Sequence, residues 1–483
     1  MIPSVIGQME MASDHPTTES PLLSSPSTQS ESQYSPFEQA EDDGVVATDE
    51  ASLRASRCAA RTLDKLQYFT PQNLNRPVEE WDRDDLVFGE LLGKGAFSSV
   101  YQVRNKTLHN NNSKKKKEEW FAIKFLHAKT MENNSKFRTG AADLALEGHF
   151  LSHLQHDNII SLKAVSSAGV KGFASGVLGG YFLVVNPILE CTLNHKIADW
   201  RERSVGLQTA IGSKPQLGPF RLSGLMHQEM SLSQERLNVC VQLSCALSYL
   251  HSVGLVFRDL KPQNVGFDRH GTVKLFDFGL AKNLDPRRRV NVDPDENDHK
   301  NSFNSISNSR RSSCLYKMTG STGSMRYMAP EVSRNEPYNE LVDVYSFGIL
   351  LWEIITLDRA YHQMDKDMHL EHVAYGKHRP SLQPWDDQPM DSAPSLLDPY
   401  MKFLLEYCWD VNLHKRPSME QVHAVLLDQT DILSITYGTP TTHTNTKQEA
   451  NVLASIHMIN QQQQQESPSQ TSRKLSPSRA KAA

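Results

Sequence analysis

Residues 254–268 read GLVFRDLKPQNVGFD. Leu255, Val256 and Phe257 form an apolar run with the pattern of a buried strand, and Asp259, Lys261 and Asn264 follow at once. A charge taken out of water without a partner is costly. A chain that brings these groups to the edge of its own core therefore has a use for them. The stretch VKLFDFGLAK, downstream, repeats the arrangement: Asp277 ends another apolar run and precedes Gly279. Strand-ending carboxylates and an amide oxygen make a hard, oxygen-rich site. Mg²⁺ prefers such ligands and adds substrate phosphates to one or two carboxylates. A remaining carboxylate is then free to accept a hydroxyl proton.

Upstream of this stretch, FAIKF places Lys124 among Ala122, Ile123 and Phe125, on a partly buried strand. In the helical pattern that follows, Gly140, Leu144, Glu147, Leu151 and Leu154 recur every three or four residues, so Glu147 faces inward among leucines. A Lys124–Glu147 ion pair answers the needs of both; a purely structural salt bridge is the plainer alternative. Further upstream, Gly93 and Gly95 in GKGAFSSV stand between two strand patterns. A backbone free of side chains can approach phosphate oxygens and offer N–H donors, although a simple hairpin turn has the same signature. A strand, not a helix, follows, which speaks against a dinucleotide fold.

Strand patterns (LVFGELLGKGAFSSVYQVRN, WFAIKFL, GYFLVVNPIL) come first, and helical ones dominate later. In ERLNVCVQLSCALSYLHSVG, Cys240, Leu243, Leu247 and Leu250 line one helical face, and Gly254 supplies the stop. This order predicts an α+β, two-lobed body with a cleft between the lobes. Residues 1–80, rich in Ser, Thr, Pro, Gln and Glu, show no sustained period and read as a disordered tail; residues 431–483, with NQQQQQESPSQ, read the same way. The body is expected over 85–430, with polar insertions near 109–119, 206–228 and 283–317.

Bulk composition narrows the function. The 51 Lys and Arg against 56 Asp and Glu give a net charge of −5, which is not the basic footprint of a nucleic-acid binder. Six scattered cysteines form no CxxC pair, consistent with reduced thiols in the cytoplasm or nucleus rather than a metal site. No N-terminal signal peptide is read. The longest apolar run, Val344 to Ile355, falls short of the ~20 residues of a membrane span. Nucleic acid and membrane are therefore not expected partners. Two short basic clusters at the C-terminal tip allow for nuclear entry.

Taken in order, these motifs resemble those of the eukaryotic protein kinases, over about Asp85 to Leu427. GKGAFSSV, with Val100 at its valine position, is similar to the glycine-rich loop, FAIK to the strand lysine, and Glu147 to the helix glutamate. FRDLKPQN is similar to the catalytic loop, DFG to the metal loop, and APE (Ala329 to Glu331) to the end of the activation segment. The resemblance implies a bilobal fold with a small β-rich N-lobe and a larger helical C-lobe. It also implies phosphoryl transfer from ATP with Mg²⁺ to protein substrates. Gly93, Lys94, Gly95, Val100, Ala122 and Lys124 would line the nucleotide site, Asn264 and Asp277 hold the metal, and Asp259 act as base beside Lys261. Asp343 would brace the catalytic loop, Arg416 pair with Glu331, and Ser324 bond Asp259 and Lys261. Lys261, GSMRYMAPEV and DVYSFGILLWEI resemble Ser/Thr-specific members of the tyrosine-kinase-like group.

Some positions depart from the family pattern. Ser98 stands at the third glycine position and is expected to add a side chain near the loop tip. Pro187, near the hinge that holds adenine, has no N–H to offer. Phe257 stands where the family usually has histidine, and is expected to pack under Phe278. Arg258 implies a phosphate on the activation segment, from an upstream kinase or from autophosphorylation. Ser321 and Thr322 are the nearest candidates, with Ser312 and Ser313 beyond. The alternative is a pseudokinase scaffold on the same fold. The presence of Lys124, Glu147, Asp259, Asn264 and Asp277 together argues for the active enzyme.

Overall fold

A computed structural model describes residues 49–66, 69, 78–109, 119–212, 219–290, 314–383 and 399–437. Helix α1 (Asp49–Asp64) precedes a six-stranded sheet built from β1 (Glu79–Trp81), β2 (Leu86–Lys94), β3 (Ser98–Asn105), β4 (Phe121–Leu126), β5 (Ser161–Ser166) and β6 (Phe182–Asn186). The strand order is β1-β5-β6-β4-β3-β2; β1 runs parallel to β5 and the other pairs are antiparallel. Helix α2 (Asn134–Ser152) packs on this sheet. The Asn133 side chain caps its start by accepting from the amides of Ser135 and Lys136, both at 3.0 Å.

The second lobe is mostly helical: α3 (Leu193–Gly212), α4 (Pro219–Ser252), α5 (Leu341–Thr356), α6 (Pro399–Cys408) and α7 (Met419–Tyr437). Cys240, Leu243, Leu247 and Leu250 of α4 are all buried, as their spacing predicts. In α5, Leu341 to Ile355 are buried throughout, so this helix is a core rod rather than a surface one. Among the described residues, no helix is long and apolar enough to cross a membrane.

Helices occupy parts of three segments that were expected as tails or as a polar insertion. Residues 1–80 are not uniformly without structure: α1 occupies 49–64, and Ala51, Ser52, Ala55 and Ala59 on one of its faces are buried. The stretch is polar overall, and its apolar face is made of alanines, so it lacks the large hydrophobic residues that a periodicity search relies on. The expected 206–228 insertion is largely helix, because α3 continues to Gly212 and α4 begins at Pro219. With 34 residues, α4 runs roughly 50 Å at about 1.5 Å per residue. Val205 and Met226 on these extensions are exposed. At the other end, α7 continues past 431 to Tyr437. Residues 110–118 and 291–313, within the other two expected insertions, and 438–483 lie outside the described residues.

Candidate active site

The deciding stretch folds as a chain of short elements hung on α4. Gly254, at φ 74°, turns the chain out of the helix. Strand β8 (Leu255–Val256) pairs with β11 (Lys282–Asn283), and a single turn at Pro262–Asn264 leads into β9 (Val265–Phe267). β9 lies between β7 (Cys191–Thr192) and β10 (Val273–Leu275). The Asp268 carboxylate accepts from the amides of His270 and Thr272, closing the β9–β10 turn. The Phe276 amide donates to the Asn264 carbonyl (3.1 Å), which fixes the Asp277 loop to the Asp259 loop.

Asp259 is buried and fully engaged. Its Oδ1 accepts from the Ser324 amide (2.8 Å) and hydroxyl (2.9 Å), and its Oδ2 from Lys261 Nζ (2.8 Å) and Asn264 Nδ2 (3.0 Å). The Asn264 amide nitrogen also donates to the Asp259 carbonyl (2.9 Å), which turns its side-chain oxygen to other use. Gly323 makes the Ser324 contacts attainable. It has φ 98°, and a Cβ there would collide with the Arg258 carbonyl oxygen. The loop is braced from beneath: Asp343, fully buried, accepts from the amides of Phe257 (2.7 Å) and Arg258 (2.8 Å) and hydrogen-bonds His251 Nε2 (3.0 Å).

The second cluster centres on Lys124. Its Nζ donates to Glu147 Oε2 (2.6 Å) and Asp277 Oδ1 (3.0 Å). Burial works to lower the Lys124 pKa, but Asp277 and Glu147 outweigh it and hold the ammonium above its ordinary range. Lys124 in turn holds the Asp277 carboxyl below the usual carboxylate range, against the effect of burial. Burial pushes Glu147 up, and Lys124 opposes that push. Asp277 sits in the left-handed region (φ 68°, ψ 72°), which Asp tolerates better than most residues. Phe278 behind it meets Phe257 edge-on, with centroids 5.1 Å apart and both rings fully buried. The expected packing of Phe257 is therefore present; such a pair contributes about 0.5–1.5 kcal/mol beyond its area burial.

In the small lobe, Val100 is the cross-strand partner of both Gly93 and Lys124. Ala122 lies two residues from Lys124 on β4, so Val100, Ala122 and Lys124 share one face of the sheet. Lys94 pairs with Ser99, and the Gly95 amide donates to the Ser98 carbonyl (2.7 Å) to close the hairpin. Ser98 is not at the loop tip as expected. It opens β3 opposite Leu126, with its side chain buried, because the turn itself is Ala96–Phe97. The Phe97 carbonyl at that tip accepts from the Thr130 hydroxyl (2.9 Å) and the His127 amide (3.1 Å). Pro187 follows β6, and the Glu190 amide is committed to the Phe267 carbonyl (2.8 Å).

The segment between Asp277 and Glu331 makes contacts that no sequence pattern displays. Arg258 Nη1 donates to the hydroxyls of Thr319 (2.8 Å) and Tyr338 (3.1 Å), and Nε to the Leu280 carbonyl (2.7 Å). Thr319 was not singled out from sequence. Ser321 donates its amide to the Val332 carbonyl, and the Thr322 hydroxyl donates to the Gly320 carbonyl (3.0 Å). Ser312 and Ser313 lie outside the described residues. Asp143 was missed as well, though four residues before Glu147 it shares that helix face. Burial, followed by the Asp277 charge, lifts its carboxyl to about 7. Arg416 Nη1 and Nη2 clasp both Glu331 oxygens (2.6 and 3.0 Å), as the motifs predicted.

Comparison with known proteins agrees with this geometry. The family profile described as "Protein kinase domain" matches residues 86–426. A serine/threonine/tyrosine-protein kinase, HT1, of Arabidopsis thaliana is 31% identical over 351 residues, covering 72% of this chain and 68% of the relative. A putative mitogen-activated protein kinase kinase kinase 7-like protein of Drosophila melanogaster is 32% identical over 192 residues, or 39% of this chain. The dual specificity protein kinase shkB of Dictyostelium discoideum is 32% identical over 178 residues, or 36% of this chain. The matches span 40% and 22% of the lengths of these last two relatives.

Proposed function

We propose, from the premise that this chain belongs to the protein kinase family, that it transfers the γ-phosphate of ATP to serine and threonine hydroxyls of protein substrates. The observation that carries this reading is the complete polar constellation: Lys124 on Glu147 and Asp277, and Asp259 held by Lys261, Asn264 and Ser324. A pseudokinase scaffold, the alternative, has no need of that completeness.

Each residue then has a physical task. The amides around Gly93, Lys94 and Gly95 cover the phosphates, and Val100 and Ala122 form the apolar roof over the base. Pro187 lacks an N–H and Glu190 has spent its own, so Ile188 and Leu189 offer the amides for the adenine edge. Lys124 offsets phosphate charge and is kept protonated by its two carboxylates. The Asp277 carboxylate and the Asn264 side-chain oxygen fit Mg²⁺, a hard cation that takes one or two protein oxygens alongside phosphates. When bound, Mg²⁺ neutralises charge developing on the transferred group. Asp259 orients the substrate hydroxyl and accepts its proton. Lys261, beside it, balances the local negative charge. Positioning and electrostatics supply most of such catalysis.

Two finer points belong to the same reading. Lys261 supports Ser/Thr specificity, while the printed names of the Arabidopsis and Dictyostelium relatives include tyrosine or dual specificity; phosphoamino-acid analysis of the product separates the two. Activation by phosphate, placed by an upstream kinase or by the protein itself, is assigned to the segment carrying Thr319, Ser321 and Thr322. Active protein without phosphate between Asp277 and Glu331 in a mass spectrum would sink that assignment. The six free cysteines support a reducing compartment, cytoplasmic with nuclear access, which imaging of the tagged protein checks.

The deciding experiment is ATP- and Mg²⁺-dependent phosphorylation of a generic protein substrate, compared between wild type and Asp277→Ala. A loss of roughly a hundredfold or more is expected, the scale of removing one preorganised transition-state contact. Equal rates would overturn the catalytic reading.

A further inference from the structure

Helix α1 lies outside the residues matched to the kinase family, 86–426, yet it is built into the small lobe. It packs along α2, the helix that carries Glu147, and on the turn Gly169–Ser175. Its contact face is made of Ala51, Ala55 and Ala59, four residues apart and at 4%, 0% and 0% exposure. Side chains this small let two helix axes approach closely. Ser56 ties the helix down by donating to the Val170 carbonyl (3.0 Å). Leu53, on the far side, is exposed.

The chain after α1 continues the clasp. Leu66 and Phe69 are buried, and the Phe69 ring meets Phe150 at right angles, with centroids 5.1 Å apart. It also reaches His149 and His153. Phe150 is three residues beyond Glu147, so the clasp acts within one turn of the ion pair.

We propose that α1 and the turn after it form a positioning brace for catalysis: Ala55, Ala59 and Phe69 hold α2 against the sheet, so that Glu147 stays on Lys124. The brace rests on the kinase reading above. A 2.6 Å ion pair to a buried carboxylate breaks with a small shift of its helix, and α1 packs along that helix.

The test uses the full chain with Ala55→Glu/Ala59→Glu, which puts two carboxylates into the packed face. A fall in kcat of at least tenfold per nucleotide-binding molecule is expected, with ATP KM changed less than threefold because the roof residues lie on other elements. Amide exchange should rise across Asn134–Ser152 and stay unchanged in α5. Leu53→Glu, on the exposed side of α1, should remain within twofold of wild type. A kcat within twofold while exchange shows α1 released would overturn the proposal. So would an equal rise in α5, which would mark general unfolding. Where the double variant does not fold, Phe69→Ala is measured in its place, with the same expected changes, and the same two results would overturn the proposal. An inactive wild type would instead overturn the kinase reading; the exchange of α2, measured without turnover, would still decide whether α1 holds it.

Discussion

At the scale of single residues, Asp259 shows how much of a site is made by its neighbours. Of its four accepted hydrogen bonds, the two from Ser324 depend on Gly323, whose positive φ and missing Cβ let Ser324 come within reach. Gly323→Ala forces a backbone shift, and strain of about 1–3 kcal/mol is expected. With roughly tenfold in rate for each 1.4 kcal/mol, kcat should fall by about fivefold to a hundredfold while the protein stays folded. Kinetics beside a thermal melt would check this. Asp143 offers a pH signature. Burial and Asp277 raise its carboxyl from 3.8 to about 7, so the folded state holds that proton more tightly than the unfolded one. The cost of ionising it is absent below about pH 4, grows as pH rises, and is complete above about 7. Asp143→Asn should therefore gain stability over wild type from pH 5 to pH 8, as measured by urea unfolding at both. An unchanged difference would contradict the assignment. Residue identity was legible wherever chemistry sits at the end of an apolar run, as with Asp259 and Asp277. Thr319 was not legible, because only the fold brings it to Arg258.

At the scale of elements, the strands and the core helices followed from pattern: β2 and β3 from glycines set between strand patterns, β4 from an apolar run carrying Lys124, and α5 from an apolar stretch interrupted by Ser346 and Glu353. The inward face of α2 was read from Glu147 among leucines, and the Lys124 bond confirms its register. Helix α1 escaped because alanines at 51, 55 and 59 carry too little hydrophobicity to stand out in a polar background. The spacing of four was present in the sequence all along. Elements far apart in sequence are pinned by buried pairs. Arg416, before α7, and Glu331, in the Pro330–Ser333 turn, are 0% and 6% exposed. Glu331→Gln or Arg416→Met leaves a buried charge alone, so a loss of about 3–5 kcal/mol is expected. The double replacement Arg416→Met/Glu331→Leu should cost less than either single one, since no orphan charge remains. Urea denaturation of the three variants would decide it.

At the scale of the whole molecule, one continuous apolar cluster runs from Ala55 to Leu426 through both lobes, while the polar groups that matter collect where the lobes meet. That division was legible from strands preceding helices, but the contribution of residues before the sheet was not. Lys124 spans the division: it belongs to a strand of the small lobe and reaches Asp277, on the loop after β10. The lysine is thus a reporter of closure by its nucleophilicity. Held protonated, it resists acylating reagents, whereas Lys282, at about 8, is half free base in mildly alkaline buffer. Brief acylation at pH 8 should mark Lys282 well before Lys124. If the lobes part, Lys124 loses one counter-charge and becomes open to the reagent, so its labelling should quicken, as it should in Asp277→Ala. The ratio of the two adducts in a peptide mass map would then time the opening of the cleft.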